Sequence, residues 1–476
     1  MGLHEHETDV ATTPSAAPAG KVEELLAARG SEVYELHRQV VNPQFVKVVR
    51  TIQFDRGYVR GLGQYLWDAE GNRYLDLLSG YGTFNVGRNH PRVRAALHRV
   101  LDMELPNLVK MDCARLSGFL AEALLQRAPQ GMGKVFFANS GTEAVEAAIK
   151  FARAATGKNA ILYWDHAFHG LTMGSLSLNG SNEFRAPFGA LLADARAIPF
   201  DDLAALEREL KRGDVAALFC EPIQGKGVYV PSEGFFREAK ALCERHGALL
   251  VLDEVQTGGG RTGTFLACEQ FDVSPHMITL AKFLSGGMTP VGAVLLTDDV
   301  HARTFSTMDK CIVHGSTFCQ NDLAMAAGLA TLEVLDDDDL INNAARLGGQ
   351  LMQRLDELKQ KHPIIKEVRG RGLMIAVEFG EPAGFFARMG RSLSRAIEPG
   401  LFTQAVVMNL LQEHRILSQT AAHKVDIIKF LPTLCISQED VDHIVSAIDQ
   451  TLATASVTST MLTMGKNLGR QVLRGS

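Results

Sequence analysis

Residues 249–263 read Leu-Leu-Val-Leu-Asp-Glu-Val-Gln-Thr-Gly-Gly-Gly-Arg-Thr-Gly. The apolar run at 248–252 is typical of a strand buried on both faces. It delivers a carboxylate, Asp253, at its end, and the glycines that follow permit close backbone approach. A loop-anchoring aspartate is the plain alternative for this stretch taken alone.

Outward from it, similar short runs occur at 135–138, 160–164, 216–220, 277–281 and 291–296. Amphipathic helical patterns at 142–155 and 231–246 lie between them. Strands alternating with helices imply an α/β fold with a mostly parallel sheet. Before this region, residues 21–41 read as helix, and GLGQYLWDAEGNRYLDLLSGYGTFNVG reads as short strands around a turn at 70–72. After about 336 a second α+β region follows, with a helix at 340–361, strands around 365–379 and an apolar helical segment at 385–413. A final helix begins at Ser437, where Ser437 and Asp440 have capping-box spacing. The expected organisation is a flexible leader (1–20), one end of a smaller domain (21–89), a large domain (90–336) and the other end of the smaller domain (337–455). A helical insertion at about 383–413 and an amphipathic tail (456–476) complete it.

The bulk numbers suit a soluble globular chain. Of 476 residues, 46% are hydrophobic and 21% charged, and the net charge is −6. No basic stripe asks for nucleic acid. The seven cysteines are scattered, and no C-x-x-C pair suggests zinc or redox chemistry, so no metal is expected. They read as reduced thiols in a cytoplasmic protein. The N-terminal stretch MGLHEHETDVATTPSAAPAG lacks the apolar core of a secretory signal, and no apolar run reaches ~18 residues, the length of a membrane span.

Ligands of parallel α/β sheets bind at the carboxyl ends of the strands. Five strand ends carry polar or planar groups. Ser140-Gly141-Thr142 follows the 135–138 run and opens a helix, so free N–H groups and the helix dipole would face an anion. Phe168 follows 160–164 and is suited to stacking on a planar heterocycle. Glu221 follows 216–220, where a buried carboxylate needs a partner. Asp253 could hold a proton on a pyridine nitrogen, making the ring an electron sink. Lys282 follows 277–281 and precedes a glycine-rich turn, the setting of a Schiff-base lysine whose amine is freed by desolvation. Taken singly, each has an ordinary reading: an N-cap, a core phenylalanine, a buried ion pair, a loop anchor, a solvated lysine.

Together they stand in the motifs LWDAEGNRYLD, NSGTEAVEAAIKFAR, EPIQGKG, LVLDEVQTGGGRTG, LAKFLSGGM and HGSTFCQNDLA. In this ordered set the chain resembles the class III (ornithine/ω-type) aminotransferases of pyridoxal-phosphate (PLP) fold type I, from about Gly61 to beyond Ser437. The resemblance implies a large domain with a seven-stranded-type sheet flanked by helices, plus a smaller domain from both chain ends. It implies PLP bound through Lys282, with Asp253 on the ring nitrogen, Gln256 on the phenolic oxygen and Phe168 on the ring face. Ser140, Gly141 and Thr142 would hold the phosphate, and Glu221 would order Gln256 and Asp253. Thr317 would reach the phosphate of a neighbouring subunit, which implies a homodimer with shared active sites.

The chain departs from the ornithine-type pattern where relatives carry a Glu after EPIQG and an Arg before the last PPL. Here these positions hold Lys226 and Lys429, and Arg and Lys are not interchangeable at a bidentate site. An ornithine, acetylornithine or GABA substrate is therefore not carried over. Tyr81, Trp164, Lys226 and Lys429 are the substrate-pocket candidates; a surface lysine is the plain reading of Lys429. Phe385, Phe386, Met389, Leu393 and Ile397 form one helical stripe, which reads as packing against the body or a dimer partner. A second reading is a lid over a channel for long or bulky amines, or a surface for an acyl-carrier or lipid-pathway partner. The tail, with Met461, Met464, Leu468 and Val472, resembles another amphipathic helix, and one short helix anchors weakly to a membrane.

The expected function is transfer of an amino group from an amine or amino-acid donor to an aldehyde or ketone by a ping-pong mechanism. The alternatives on the same fold are an aminomutase or a decarboxylase, and a non-catalytic scaffold.

Overall fold

The computed structural model describes residues 20–109, 111–381, 400–422 and 425–453. The leader, the stripe at 385–397 and the tail at 456–476 lie outside the described residues. The chain divides into two units after Gly57. In the first, the helix expected at 21–41 is two helices, Lys21–Arg29 and Val33–Val40, separated by a 3₁₀ turn at Gly30–Glu32. Gly30 disfavours helix continuation by ~1 kcal/mol relative to alanine. A third helix, Pro43–Thr51, starts cleanly: Asn42 accepts from Phe45 N–H at 3.0 Å, and Pro43 occupies the first turn, where no N–H is needed.

The second unit holds three sheets. β1 (Arg60–Leu62), β2 (Tyr65–Trp67) and β3 (Arg73–Asp76) form the first with a strand from far along the chain. The β2–β3 hairpin turns at Gly71, whose φ is +81°, as the Glu70–Gly71–Asn72 signal requires.

The large sheet consists of β4 (Met132–Ala138), β5 (Ala160–Trp164), β6 (Ala195–Ile198), β7 (Val215–Cys220), β8 (Leu249–Asp253), β9 (Met277–Leu280) and β10 (Gly292–Thr297). Their spatial order is 4-10-9-8-7-5-6. Only β10 runs against its neighbours; β9, β8, β7, β5 and β6 pair in parallel. Every residue of β5, β7, β8 and β9 is buried, which is why these strands read as unbroken apolar runs. The helices Gly141–Thr156 and Phe235–Arg245 supply apolar faces to this unit. Phe235–Arg245 starts four residues later than its pattern suggests. Gly234 before it is left-handed, with φ +84°, and Pro231–Glu233 is not helical.

The third sheet joins β11 (Ile365–Arg371), β12 (Met374–Phe379), β14 (Gln419–Thr420) and β15 (Ile427–Phe430), in the order 11-12-15-14. β13 (Ile416–Leu417) pairs in parallel with β3, so the first sheet is closed by residues more than 300 positions away. The described part of the expected insertion is a buried helix, Leu401–His414. At the last helix, Gln438–Ala453, the capping box forms: Asp440 N–H donates to Ser437 Oγ at 3.2 Å, and Ser437 N–H donates to Asp440 Oδ2 at 2.8 Å. No helix among the described residues is long and apolar enough to cross a membrane.

Candidate active site

The carboxyl ends of the parallel strands converge on one cluster. β8 and β9 are neighbours, and their register sets Asp253 opposite Thr279, three residues before Lys282. Asp253 and Lys282 thus close adjacent strands on the same edge. Asp253 is only 4% exposed. Its Oδ1 accepts from Val255 N–H at 3.0 Å, and its Oδ2 lies 2.7 Å from Nδ1 of His169. Burial alone pulls the His169 pKa down. The hydrogen bond and charge of Asp253, with a contribution from Glu221, outweigh this, and the net shift is upward. The imidazole thereby fixes the orientation of the Asp253 carboxylate.

Lys282 opens a 3₁₀ turn and carries φ +34°, a left-handed conformation that costs a lysine ~1–3 kcal/mol. Two glycines with positive φ, Gly286 and Gly287, follow it. Lys282 keeps some exposed surface, yet its surroundings are apolar enough that burial lowers its pKa against the opposing charges of Asp253 and Glu221. A lowered pKa enlarges the neutral, nucleophilic fraction of the amine.

The lowered pKa has a measurable consequence in the apoprotein. The unfolded chain binds a proton at Lys282 that the folded chain resists, so this residue costs stability below its unfolded pKa. Lys282→Met apoprotein is expected to melt above the parent at pH 7. The gap should close as pH rises toward ~10.4, the ordinary lysine value. Melting curves at several pH values check this, and a gap that widens with pH would refute it.

At the end of β7, Glu221 accepts from Phe168 N–H at 2.9 Å and from Gly225 N–H at 2.7 Å, while burial raises its pKa. It therefore braces the loop that presents Phe168. Phe168 is half-buried and meets Phe184 edge-on at 5.9 Å. At the end of β4, Ser140 caps the helix Gly141–Thr156, its Oγ accepting from Glu143 N–H at 3.3 Å. First-turn N–H groups have no intrahelical partner and suit an anion. A Cβ on Gly141 would come within 2.9 Å of Val255 Cγ1, so glycine is what lets this turn approach the β8 end. The Thr142 hydroxyl is engaged elsewhere, 2.6 Å from Ser175 Oγ and 2.8 Å from Thr172 Oγ1.

A Cβ on Gly292 would lie 2.3 Å from the Ser140 carbonyl oxygen. Gly292→Ala is therefore expected to displace the Ser140 turn and weaken cofactor binding by ~10-fold or more, since overpacking costs ~1–3 kcal/mol. Titration of the apoprotein with the cofactor checks it; an unchanged affinity would show that the turn yields without consequence.

The amide of Gln256 sits between two groups: Nε2 donates to the Tyr81 carbonyl at 2.9 Å, and Lys429 Nζ donates to Oε1 at 3.3 Å. Tyr81 is 58% exposed, with φ +60°. Lys226 Nζ lies 4.0 Å from the centroid of Phe184 and 5.3 Å from that of Phe168. Burial lowers the Lys226 pKa, against Glu221 and Glu183. Lys429, for which a surface position was the plain reading, is instead buried.

Two expectations need comment. Trp164 does not join the cluster. It is wholly buried on β5, its ring 4.7 Å from Phe200, 5.0 Å from Phe235 and 5.6 Å from Phe236, and it is a core residue. Thr317 lies on an exposed loop whose neighbouring Ser316 accepts from Asn139 Nδ2 of the same chain at 2.7 Å, next to Ser140. His169 was missed. Its signal was available, because a histidine beside a buried strand end needs a buried partner.

An amine, a carboxylate, an aromatic ring and an anion-binding helix N-terminus are thus gathered at the ends of separate strands, and they fit PLP. The Aminotransferase class-III family matches residues 48–452. The chain belongs to the class-III aminotransferases. This PLP-dependent family has the fold described above. The chain is 36% identical over 449 residues to aminotransferase PigE from Serratia sp., covering 87% of this chain and 52% of PigE. It therefore spans about half the length of that relative. Among solved structures, the ornithine aminotransferase from Toxoplasma gondii superposes with a TM-score of 0.79 at 32% identity, over 91% of this chain and 98% of the other. A PLP-bound amine transaminase from an uncultivated Pseudomonas species gives 0.72 at 29%, over 83% and 94%.

Proposed function

We propose that this class-III aminotransferase moves an amino group from an amine or amino-acid donor to an aldehyde or ketone by a ping-pong mechanism. The observation that carries the reading is the placement of Lys282 and Asp253 at the ends of neighbouring parallel strands. PLP, when bound, supplies a ring that takes up the electrons of the Cα–H bond. Lys282 would hold the cofactor through its amine and, once freed from it, would carry the proton leaving Cα. Asp253, oriented by its 2.7 Å contact with His169, would hold a proton on the ring nitrogen. Ser140, Gly141 and the Thr142 backbone would hold the phosphate. Phe168, on the loop that Glu221 braces, would stack on the ring, and Gln256 would donate to the phenolic oxygen.

The flank of the site is aromatic: Phe168 and Phe184 lie beside Lys226, and Tyr81 stands exposed beside Gln256. This favours a donor with an apolar or long-chain body. The protein works as a homodimer, with Thr317 completing a neighbour's phosphate site. Its seven unpaired thiols fit a reducing, cytoplasmic location.

The test is a half-reaction. Holoenzyme without acceptor is mixed in turn with glutamate, alanine, ornithine, a diamine and a long-chain amine. A true donor bleaches the visible band and yields one carbonyl product per site; an added aldehyde or ketone restores the band. Release of CO2, or amino migration without a second substrate, would replace the transaminase reading with a decarboxylase or an aminomutase.

A further inference from the structure

Lys429 lies on β15, an inner strand of the third sheet, where it pairs with Ala376 of β12 and Gln419 of β14. Both neighbours fix its backbone, and the residue is only 5% exposed. Its ammonium already makes two hydrogen bonds within the chain: Nζ donates to the Gly225 carbonyl at 2.6 Å and to Gln256 Oε1 at 3.3 Å. The same loop is clamped on its other side, because Gly225 N–H donates to Glu221. Gln256 in turn donates from Nε2 to the Tyr81 carbonyl.

These partners leave the Gln256 amide one orientation. A carbonyl only accepts and an ammonium only donates, so Nε2 must face Tyr81 and Oε1 must face Lys429. A flipped amide would set N–H against ammonium and oxygen against oxygen. In the fixed orientation, Nε2 keeps its second N–H for another acceptor. The charged groups around Lys429 are Lys282, Lys226 and Arg261, which oppose its charge, and Glu221, which favours it. Burial is the largest influence, and its pKa falls to about 7.

We propose that Lys429 is a positioning residue for the cofactor: it locks the Gln256 amide so that Nε2 donates to the phenolic oxygen, and it does not receive a substrate carboxylate. This rests on the aminotransferase reading and refines its substrate class. Recognition of an acceptor's carboxylate does not pass through Lys429, so acceptors with and without a carboxylate depend on it equally.

The experiment uses holoenzyme of the parent, Lys429→Met, Gln256→Ala and the double variant. Two readouts are taken: the pH midpoint of the visible cofactor band, and kcat and KM for pyruvate and butanal with one donor. A donor to the phenolic oxygen lost in either single variant should shift the midpoint by about one pH unit. The fall in kcat should be roughly tenfold for both acceptors, below the 10²–10³ carried by a direct transition-state donor. The ratio of the two KM values should stay as in the parent, and the double variant should be no worse than the worse single one. The proposal is overturned if Lys429→Met keeps the parent midpoint while KM for pyruvate alone rises about tenfold or more. It is also overturned if Gln256→Ala, which leaves Lys429 in place, does not move the midpoint. A parent protein that shows no visible band on PLP addition would overturn the cofactor reading itself, a separate result.

Discussion

Lys282→Ala is expected to lose the visible band and to lower turnover by at least ~10³-fold, since it removes both nucleophile and proton carrier, and general acid–base catalysis alone is worth ~10²–10⁴. The structure makes this loss specific. Among the described residues, no other amine is placed like that of Lys282, at the end of a strand adjoining the one that ends in Asp253. Lys429 and Lys226 are near enough to matter electrostatically, but Lys429 is tied to Gly225 and Gln256, and Lys226 lies over Phe184. Neither replaces Lys282 without rearranging its own contacts. The check is the spectrum of the purified variant together with turnover on the best donor. Added methylamine or ammonia should restore part of the activity by supplying a base. A variant that kept the parental turnover would remove Lys282 from the mechanism.

Asp253→Asn should lower kcat by ~10²–10³-fold, the magnitude of one preorganised electrostatic contact in a dry site. The substitution keeps volume and the hydrogen bond to Val255, but it removes the charge that holds a proton on the ring nitrogen. It also leaves the buried His169 facing a neutral amide. The measured effect must therefore be separated into chemistry and folding. Thermal melting of the apoprotein gives the second, and single-turnover bleaching by a donor gives the first. An unchanged melt with a much slower bleach supports the assignment. An unchanged bleach would mean that the ring nitrogen needs no partner.

Much of the fold was legible because buried parallel strands announce themselves. The runs at 160–164, 216–220, 248–252 and 277–281 reappear as β5, β7, β8 and β9 within a residue at each end. Edge strands did not. β4 begins at Met132, three residues before its apolar run, because an edge strand tolerates Gly133 and an exposed Lys134. β6, at the other edge, carries Arg196 and was not recognised. The break at Gly30 and the delayed start at Phe235 trace to glycines that could be read but not weighted.

The site was legible in its parts and not in its connections. Asp253, Lys282, Glu221 and Ser140 could be grouped from the sequence because each closes or follows a strand, and strand ends share one edge of a parallel sheet. Hydrogen-bond partners come from sequence distances that no pattern marks. Lys429 reaches Gln256 across 173 positions, and His169 reaches Asp253 across 84. Trp164 misled for a related reason. It is the last residue of β5, where alternation turns its ring into the aromatic core with Phe235 and Phe236.

The most direct test of the central claim is to reduce PLP-loaded protein with borohydride, digest it and sequence the modified peptide by mass spectrometry. A single phosphopyridoxyl adduct on Lys282 is the predicted result. An adduct on another lysine such as Lys226 or Lys429, or no stable adduct at all, would contradict the account.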